Sequence, residues 1–528
     1  MFETPRPSSK EEQVRKKCIA IAENHNLDWA VDSAGNLRLR KPASHGCENA
    51  VAVAIQAHMD MVCSQTEDST HDFEKDPLFP KVVDNGEWVK APGTTLGADN
   101  GIGVAGALAL LTDKELKHGP LEALFTTEEE TTMGGAENVE PYPFLQAQAM
   151  INVDSEIDHS VCVGCAGGFE MKLSIPAIRR NVASSGLSCL MVEVSGLVGG
   201  HTGIDIDSGR ANALRVLARA LASASSPTQF RCASDQLKPP ADAAVKEPIP
   251  IHLANLAGGN AVNAIPRSCA ATLWVSTGQA QELQRRMQFH FSQLQGEFAV
   301  VEARGRAGEE GSEDKKAADE DLEASPWQMT ITEASESPQA CCPEDSQKIL
   351  DFVLAVPHGV LRFSPDVANA VDTSIAFSLC GMESGSEQVE NKFWTHLFCR
   401  SYSDFQMKKV KAQLEGFARL TNASVSDSMF YFNGWEPNIA SPLVQQTLST
   451  HQQLFGTNAK VYSVHAGLEC GPLMLKYPQM HCVSIGPLIL GAHSPDEKIK
   501  ISTVMSWYKW LRGTVEGLAD VPASDFGV

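Results

Sequence analysis

Residues Val51–Val62 read VAVAIQAHMDMV, and the fold class follows from that stretch. The chain is apolar and partly β-branched from Val51 up to Gln56, the pattern of a strand buried in a sheet covered on both faces. His58 and Asp60 follow at once. Residues two apart in extended backbone point to the same face, which sets the imidazole beside the carboxylate at the strand's carboxyl end. Ligands of open α/β sheets bind in the crevice outside those ends. A single His-x-Asp pair in a loop also serves to satisfy backbone groups, so the reading turns on whether later strands bring partners to the same place.

Later segments supply such partners. Leu121–Thr126 is strand-like and is followed by Glu128, Glu129 and Glu130, then by Met133-Gly134-Gly135-Ala136. A solvated charge run rarely stands between a buried strand and glycines that permit close backbone approach. Ala147–Val153 is a further apolar segment and ends in Asp154-Ser155-Glu156. Between these, a glycine-rich loop from Gly93 to Gly103 leads into a small, apolar helix over Ile102–Leu111. Asp99 stands where loop meets helix, a position that an N-cap aspartate also takes. Gly101, Gly103 and Gly106 spell GxGxxG, but no apolar strand precedes them and no ribose-binding acid follows, which excludes a dinucleotide site. Towards the other end, a strand over Lys460–Val464 precedes His465-Ala-Gly-Leu-Glu469-Cys-Gly, and one over His481–Ile485 precedes a loop with His493-Ser-Pro-Asp-Glu497. Ser8–Asn24, with Ser9 and Glu12 as a capping box, and also Pro442–Phe455 and Ile501–Leu518 read as helices.

At 528 residues the chain exceeds one core. The strand-end pattern occupies 1–170 and 431–528, which read as two parts of one catalytic domain. Residues 171–430 mix strand-like segments (Ser188–Val194, Ala270–Val275) with helix-like ones (Ile204–Ala222, Ala280–Leu294) and read as an inserted α+β module. Within it, acids crowd 308–323 and predict a solvated, disordered loop. A net charge of -22, from 65 acids against 43 bases, excludes a nucleic-acid or anionic-membrane surface. No apolar leader and no long apolar run is present, and 14 scattered Cys fit reduced thiols, so a cytoplasmic protein is expected. Cys162-Val-Gly-Cys165 has no second pair at zinc-ribbon spacing.

His58, Asp60, Asp99, Glu129, Glu130, Asp154 and His493 form a mixed nitrogen and oxygen set suited to zinc, or to cobalt or manganese in its stead. A bridging carboxylate can hold two such ions together, with one acid left free to take a proton. The segments QAHMDM, GTTLGADNGIG, TEEE with GGA, INVDSE, GCAGG, GLVGGHTG, GGNAVNAIPR, HAGLECG, SIGP and GAHSPDE together resemble the aminoacyl-histidine dipeptidases. These are cytosolic Xaa-His or non-specific dipeptidases of the two-zinc peptidase family that includes carboxypeptidase G2 and peptidase T. The resemblance covers nearly the whole chain, and the motifs come in the family's order.

The resemblance implies an α/β zinc-peptidase catalytic domain on a central mixed sheet, with an inserted α+β lid and dimerisation domain, and a homodimer that hydrolyses dipeptides. It implies that His58 and Asp154 bind one zinc, Glu130 and His493 the other, and that Asp99 bridges them. Asp60 would orient His58, and Glu129 would be the general base towards a water bridging the two ions. The pair could be Glu128 and Glu129, but in the family the metal-binding Glu stands five residues before the second glycine, here Gly135, which selects Glu130. His201 matches an oxyanion donor supplied across the dimer interface, and Asn263 and Arg400 match residues that grip the substrate's terminal carboxylate. His465 and Glu469 belong to the same substrate-site motifs without a more definite role. Thr132 departs from the family's usual glycine. A deacylase or carboxypeptidase on the same fold, or a silent scaffold, are the competing readings, and the scaffold is disfavoured because every ligand and Glu129 are present.

Overall fold

The computed structural model describes residues 1–226, 247–309, 327–334, 338–383 and 391–527. The chain folds as two compact units, one of Met1–Gly167, Ser364–Ala370 and Phe432–Val528, the other of Gly168–Phe363 and Val371–Tyr431. Ser364–Ala370 returns to the first unit from within the second, an excursion that nothing in its composition announces.

The first unit is built on an eight-stranded mixed sheet. At its centre lies the strand Val53–His58, parallel to Leu121–Thr126 on one side and to Ala149–Asn152 on the other. All six of its residues are buried. Val53, Ile55 and Ala57 pack into one core with Leu110, Leu111, Trp507 and Trp510, while Ala54 joins Leu124, Met150, Cys470 and Leu473 on the opposite face. Alternate side chains thus fill two layers, the arrangement that keeps a parallel strand apolar throughout. The strand begins two residues later than the apolar run because Val51 N–H donates to Val521 O, outside the sheet. Trp507 and Trp510 satisfy their indole N–H groups on Ile485 O and Thr447 O, at 3.3 and 2.9 Å, which lets both rings be buried.

Other expectations shift for local reasons. The first helix spans Glu12–Asn24 without a side-chain cap. Ser9 Oγ instead donates to Glu128 Oε1, so no capping box forms. The helix after the glycine-rich loop runs Ala98–Thr112 and starts from Gly97, not from Asp99. A Cβ on Gly106 would stand 2.6 Å from the Trp507 ring, so close helix packing accounts for this glycine of the GxGxxG string.

The second unit holds a nine-stranded sheet in which Leu187–Ser195, Ile251–Gly258 and Cys269–Ser276 pair antiparallel. The helices Ala213–Ser225, Ala280–Glu309 and Pro343–Ala355 share its core. The predicted helix over 204–222 begins only at Ala213, where the Asn212 side chain accepts from Leu214 N and Arg215 N at 3.0 and 3.4 Å. The helix from Ala280 extends to Glu309, into the acidic stretch, and the remainder of that stretch lies outside the described residues.

Gly135 tests how closely this frame is packed. A Cβ there would sit 2.5 Å from both Asn36 Oδ1 and Thr127 O. Gly135→Ala is expected to destabilise the protein by about 1–3 kcal/mol, the usual cost of overpacking, read as a lower urea midpoint at unchanged slope.

Candidate metal centre

The central strand delivers His58 at its carboxyl end with 1% exposure. Asp99 comes from the first turn of the helix Ala98–Thr112 and Asp154 from just beyond Ala149–Asn152. Glu129 and Glu130 open a one-turn helix, Glu129–Thr132, that follows Leu121–Thr126 through Glu128 at φ 55°. Thr132 ends that turn and accepts from Gly134 N at 3.0 Å. His493 sits in the turn between the short strands Ile489–Leu490 and Lys498–Lys500.

These side chains converge. His58 Nε2 lies 3.0 Å from Asp99 Oδ1 and 3.2 Å from Asp154 Oδ1. His493 Nε2 lies 3.3 Å from Asp99 Oδ2 and 2.9 Å from Glu130 Oε2. Asp99 therefore offers one oxygen to each imidazole. Ligand atoms of His58, Asp99 and Glu130 all fall within 4.8 Å of one another, the one such group of His, Cys, Asp or Glu among the described residues. Glu130 Oε1 and Asp154 Oδ1 are buried without an aligned hydrogen bond.

That donor set fits a divalent cation. Two imidazoles with three carboxylates and no thiolate suit zinc, cobalt or manganese, and oxygens buried without hydrogen bonds are unfavourable unless something positive meets them. The electrostatics agree. Burial pushes Asp154 up to about 7 and Glu129 well above the carboxylate range, with neighbouring acids adding to both. Hydrogen bonds to Asp99 and Glu130 hold His493 up to about 11. The surroundings favour positive charge at their centre.

Asp60 stands behind this layer, fully buried. Its Oδ1 is 3.3 Å from His58 Nδ1, off the line of a good hydrogen bond, and accepts from Glu129 N at 3.2 Å. Its Oδ2 accepts from Glu130 N at 3.2 Å and from Ser8 Oγ at 2.7 Å. One carboxylate so fixes both a histidine and the backbone of the two glutamates. Two residues that sequence reasoning did not single out for a role also belong here. Arg6, 2% exposed, donates to Met59 O, Asp60 O and Gly97 O, and Glu497, equally buried, accepts from backbone beside Asp99. Arg6 has no signal beyond its two flanking prolines, whereas Glu497 closes the GAHSPDE string.

Glu469 is wholly buried. Its Oε2 accepts from Gln56 Nε2 at 2.6 Å and Thr126 Oγ1 at 2.7 Å, under the strand ends, and burial lifts its pKa to about 8. His465 is also buried.

His201, Asn263 and Arg400 lie in the second unit. His201 Nδ1 accepts from Gly203 N and Ile204 N at 3.2 and 3.1 Å. The neutral ring must then carry its proton on Nε2. Arg400 Nη2 stands 3.2 Å from that atom, so two N–H donors face each other, the arrangement that an anion completes. The guanidinium is 4% exposed, rests 4.3 Å over the Phe398 ring, and leaves Nε buried without a hydrogen bond. Asn263 is exposed, and its carbonyl accepts from Thr202 N at 2.9 Å.

A mixed α/β sheet whose strand ends gather imidazoles and carboxylates presents a candidate metal centre. The model of peptidase family M20/M25/M40 matches residues 54–517. Over 519 residues the chain is 33% identical to the cytosol non-specific dipeptidase of Escherichia coli (strain K12), covering 98% of this chain and 95% of that protein. Aminoacylhistidine dipeptidase from Vibrio alginolyticus, a solved structure, aligns with TM-score 0.81 at 32% identity, covering 98% of this chain and 94% of that one. The chain belongs to peptidase family M20/M25/M40 and is a peptide-bond hydrolase. No helix among its described residues is long and apolar enough to cross a membrane.

The His201 tautomer can be read directly. Burial, with Arg400 adding to it, lowers its pKa to about 4. In histidine-labelled protein, nitrogen NMR at pH 7 is expected to show one ring protonated on Nε2 and losing its signal in His201→Asn. That ring should stay neutral down to about pH 5, one unit above its pKa, and a ring protonated on Nδ1 would contradict the geometry.

Proposed function

We propose that this chain is a cytoplasmic, homodimeric dipeptidase that acts on Xaa-His and other unspecific dipeptides with two zinc ions per chain. The observation that carries the reading is Asp99, whose two oxygens meet His58 on one side and His493 on the other. A carboxylate so placed would let Asp99 hold both ions of a pair. His58 and Asp154 would complete one site, Glu130 and His493 the other. The similarity to two dipeptidases along 98% of the chain supports the substrate class.

When bound, the metal pair supplies Lewis acidity and a water of lowered pKa. The rest falls to the protein. Glu129, half-buried at the start of its one-turn helix, takes a proton from the attacking water and returns it to the leaving amine. Asp60 keeps the His58 ring in place and, through the Glu129 and Glu130 N–H groups, sets the spacing between base and ligand. His201 Nε2–H, furnished by the partner copy of the dimer, meets the oxyanion. Arg400, 3.2 Å from His201 in the same chain and so furnished by the same copy, would grip the terminal carboxylate together with Asn263, a guanidinium fork being its natural partner.

Purified protein is expected to cleave β-Ala-His and several α-Xaa-His dipeptides, with activity abolished by chelation and restored by zinc, cobalt or manganese. Cleavage confined to N-acyl amino acids would turn the assignment to a deacylase, and metal binding without any turnover would favour a scaffold. Glu129→Gln should lower kcat by roughly 10²–10⁴-fold while the metal content, measured by mass spectrometry, stays as in the parent. Full turnover in that variant would remove Glu129 from its role.

A further inference from the structure

Glu497 ends the turn that presents His493, and its carboxylate is taken up by backbone amides leading to Asp99. Oε2 accepts from Leu96 N at 2.7 Å and Gly97 N at 2.9 Å, and Oε1 from Ala98 N at 2.8 Å and Asp99 N at 3.2 Å. Four consecutive backbone donors thus occupy both oxygens, which leaves Glu497 no lone pair suitably placed to serve as a metal ligand. The side chain is 2% exposed.

The turn it belongs to is tied to itself. Glu497 N donates to Ser494 O at 3.1 Å, Asp496 N to Ser494 Oγ at 3.1 Å, and Ser494 Oγ to Gly491 O at 2.7 Å. His493 and Glu497 therefore move as one body. A closed ring results: His493 Nε2 meets the Asp99 carboxylate, and Glu497 of the same turn holds the Asp99 backbone.

Arg6 holds the opposite side of that segment. Its Nη2 donates to Gly97 O, while Nη1 donates to Met59 O at 3.1 Å and Asp60 O at 2.5 Å, immediately after His58. Gly97 is gripped through its N–H by Glu497 and through its carbonyl by Arg6. It has φ +65°, and a Cβ there would stand 2.6 Å from Arg6 Nη2 and 2.8 Å from Met61 Sδ. Only glycine fits between the two grips.

We propose that Glu497 and Arg6 are positioning residues that clamp residues 96–99 from both sides, so that the two oxygens of Asp99 stay registered with His58 and His493 and the paired sites are preformed. The inference rests on the two-metal reading above and adds to it residues that touch neither metal nor substrate. Groups that orient ligands from behind commonly govern metal affinity 10–100-fold.

The test compares the parent with Glu497→Gln, Glu497→Asp and Arg6→Lys, each stripped and then titrated with cobalt(II) alone against a chelating dye. Circular dichroism and thermal melting report the fold, and kcat and KM for one cleaved dipeptide are taken at saturating metal. In Glu497→Gln an amide NH₂ replaces one oxygen, so two of the four backbone donors lose their acceptor. The folded variant is expected to bind cobalt at least 10-fold more weakly at one or both sites, with kcat falling more than KM rises, and Glu497→Asp is expected to recover part of the loss. A folded Glu497→Gln with both affinities and kcat unchanged overturns the proposal, even if its melting temperature drops. Should Glu497→Gln fail to fold, Glu497→Asp and Arg6→Lys are judged by the same affinities. A parent protein that binds no cobalt at all would instead overturn the two-metal reading on which the clamp depends.

Discussion

Everything in the first unit answers to the crowding of acids at the end of one buried strand. Asp60, Asp99 and Asp154 surround His58, Glu130 reaches Asp99 through His493, and Glu469 lies beneath. Two like charges about 4 Å apart repel by about 4 kcal/mol at an effective dielectric constant of 20. A flexible scaffold would relieve that by spreading. Here Asp60 is fixed instead by the amides of Glu129 and Glu130 and Glu469 by Gln56 and Thr126, while Glu497, under the same segment, takes four amides in a row. Hydrogen bonds of this kind favour the charged carboxylate without adding a mobile counter-ion. Strand ends, a one-turn helix and tight turns are where such amides point outward, which is why the centre is made of them.

The parts of this arrangement that were legible in the sequence are those that follow a period. Val51–Gln56, Leu121–Thr126 and Ala147–Val153 are apolar runs, each followed by residues that can bind a cation, so the juxtaposition of His58, the glutamates 128–130 and Asp154 was legible, while the choice of Glu130 among them came from the resemblance. Asp99 was harder, because an acid at the start of a helix is an ordinary cap. Only the structure shows the helix starting at Gly97 and the carboxylate turned to His58. Arg6 could not be read at all: it is separated from Gly97 by most of a hundred residues and follows no repeat. The Asn212 cap was overlooked for a different reason, since the apolar pattern over 204–222 looks helical further than the chain is helical.

The two units differ in the charge they are built to receive. Carboxylates and imidazoles in the first favour a cation, while Arg400 and the Nε2–H of His201 in the second favour an anion. The burial of Arg400, which lowers its pKa only to about 10, leaves it charged at neutral pH and strengthens whatever ion pair it makes.

The spread of the centre along the chain also governs when it can exist. Its side chains come from positions 58, 99, 130, 154 and 493, and the grip on residues 96–99 joins position 6 to position 497. Contacts this distant in sequence form late and slowly. Until the hairpin that carries His493 and Glu497 has docked, four of the five converging side chains are in place but Asp99 lacks both its second imidazole and the grip on its backbone.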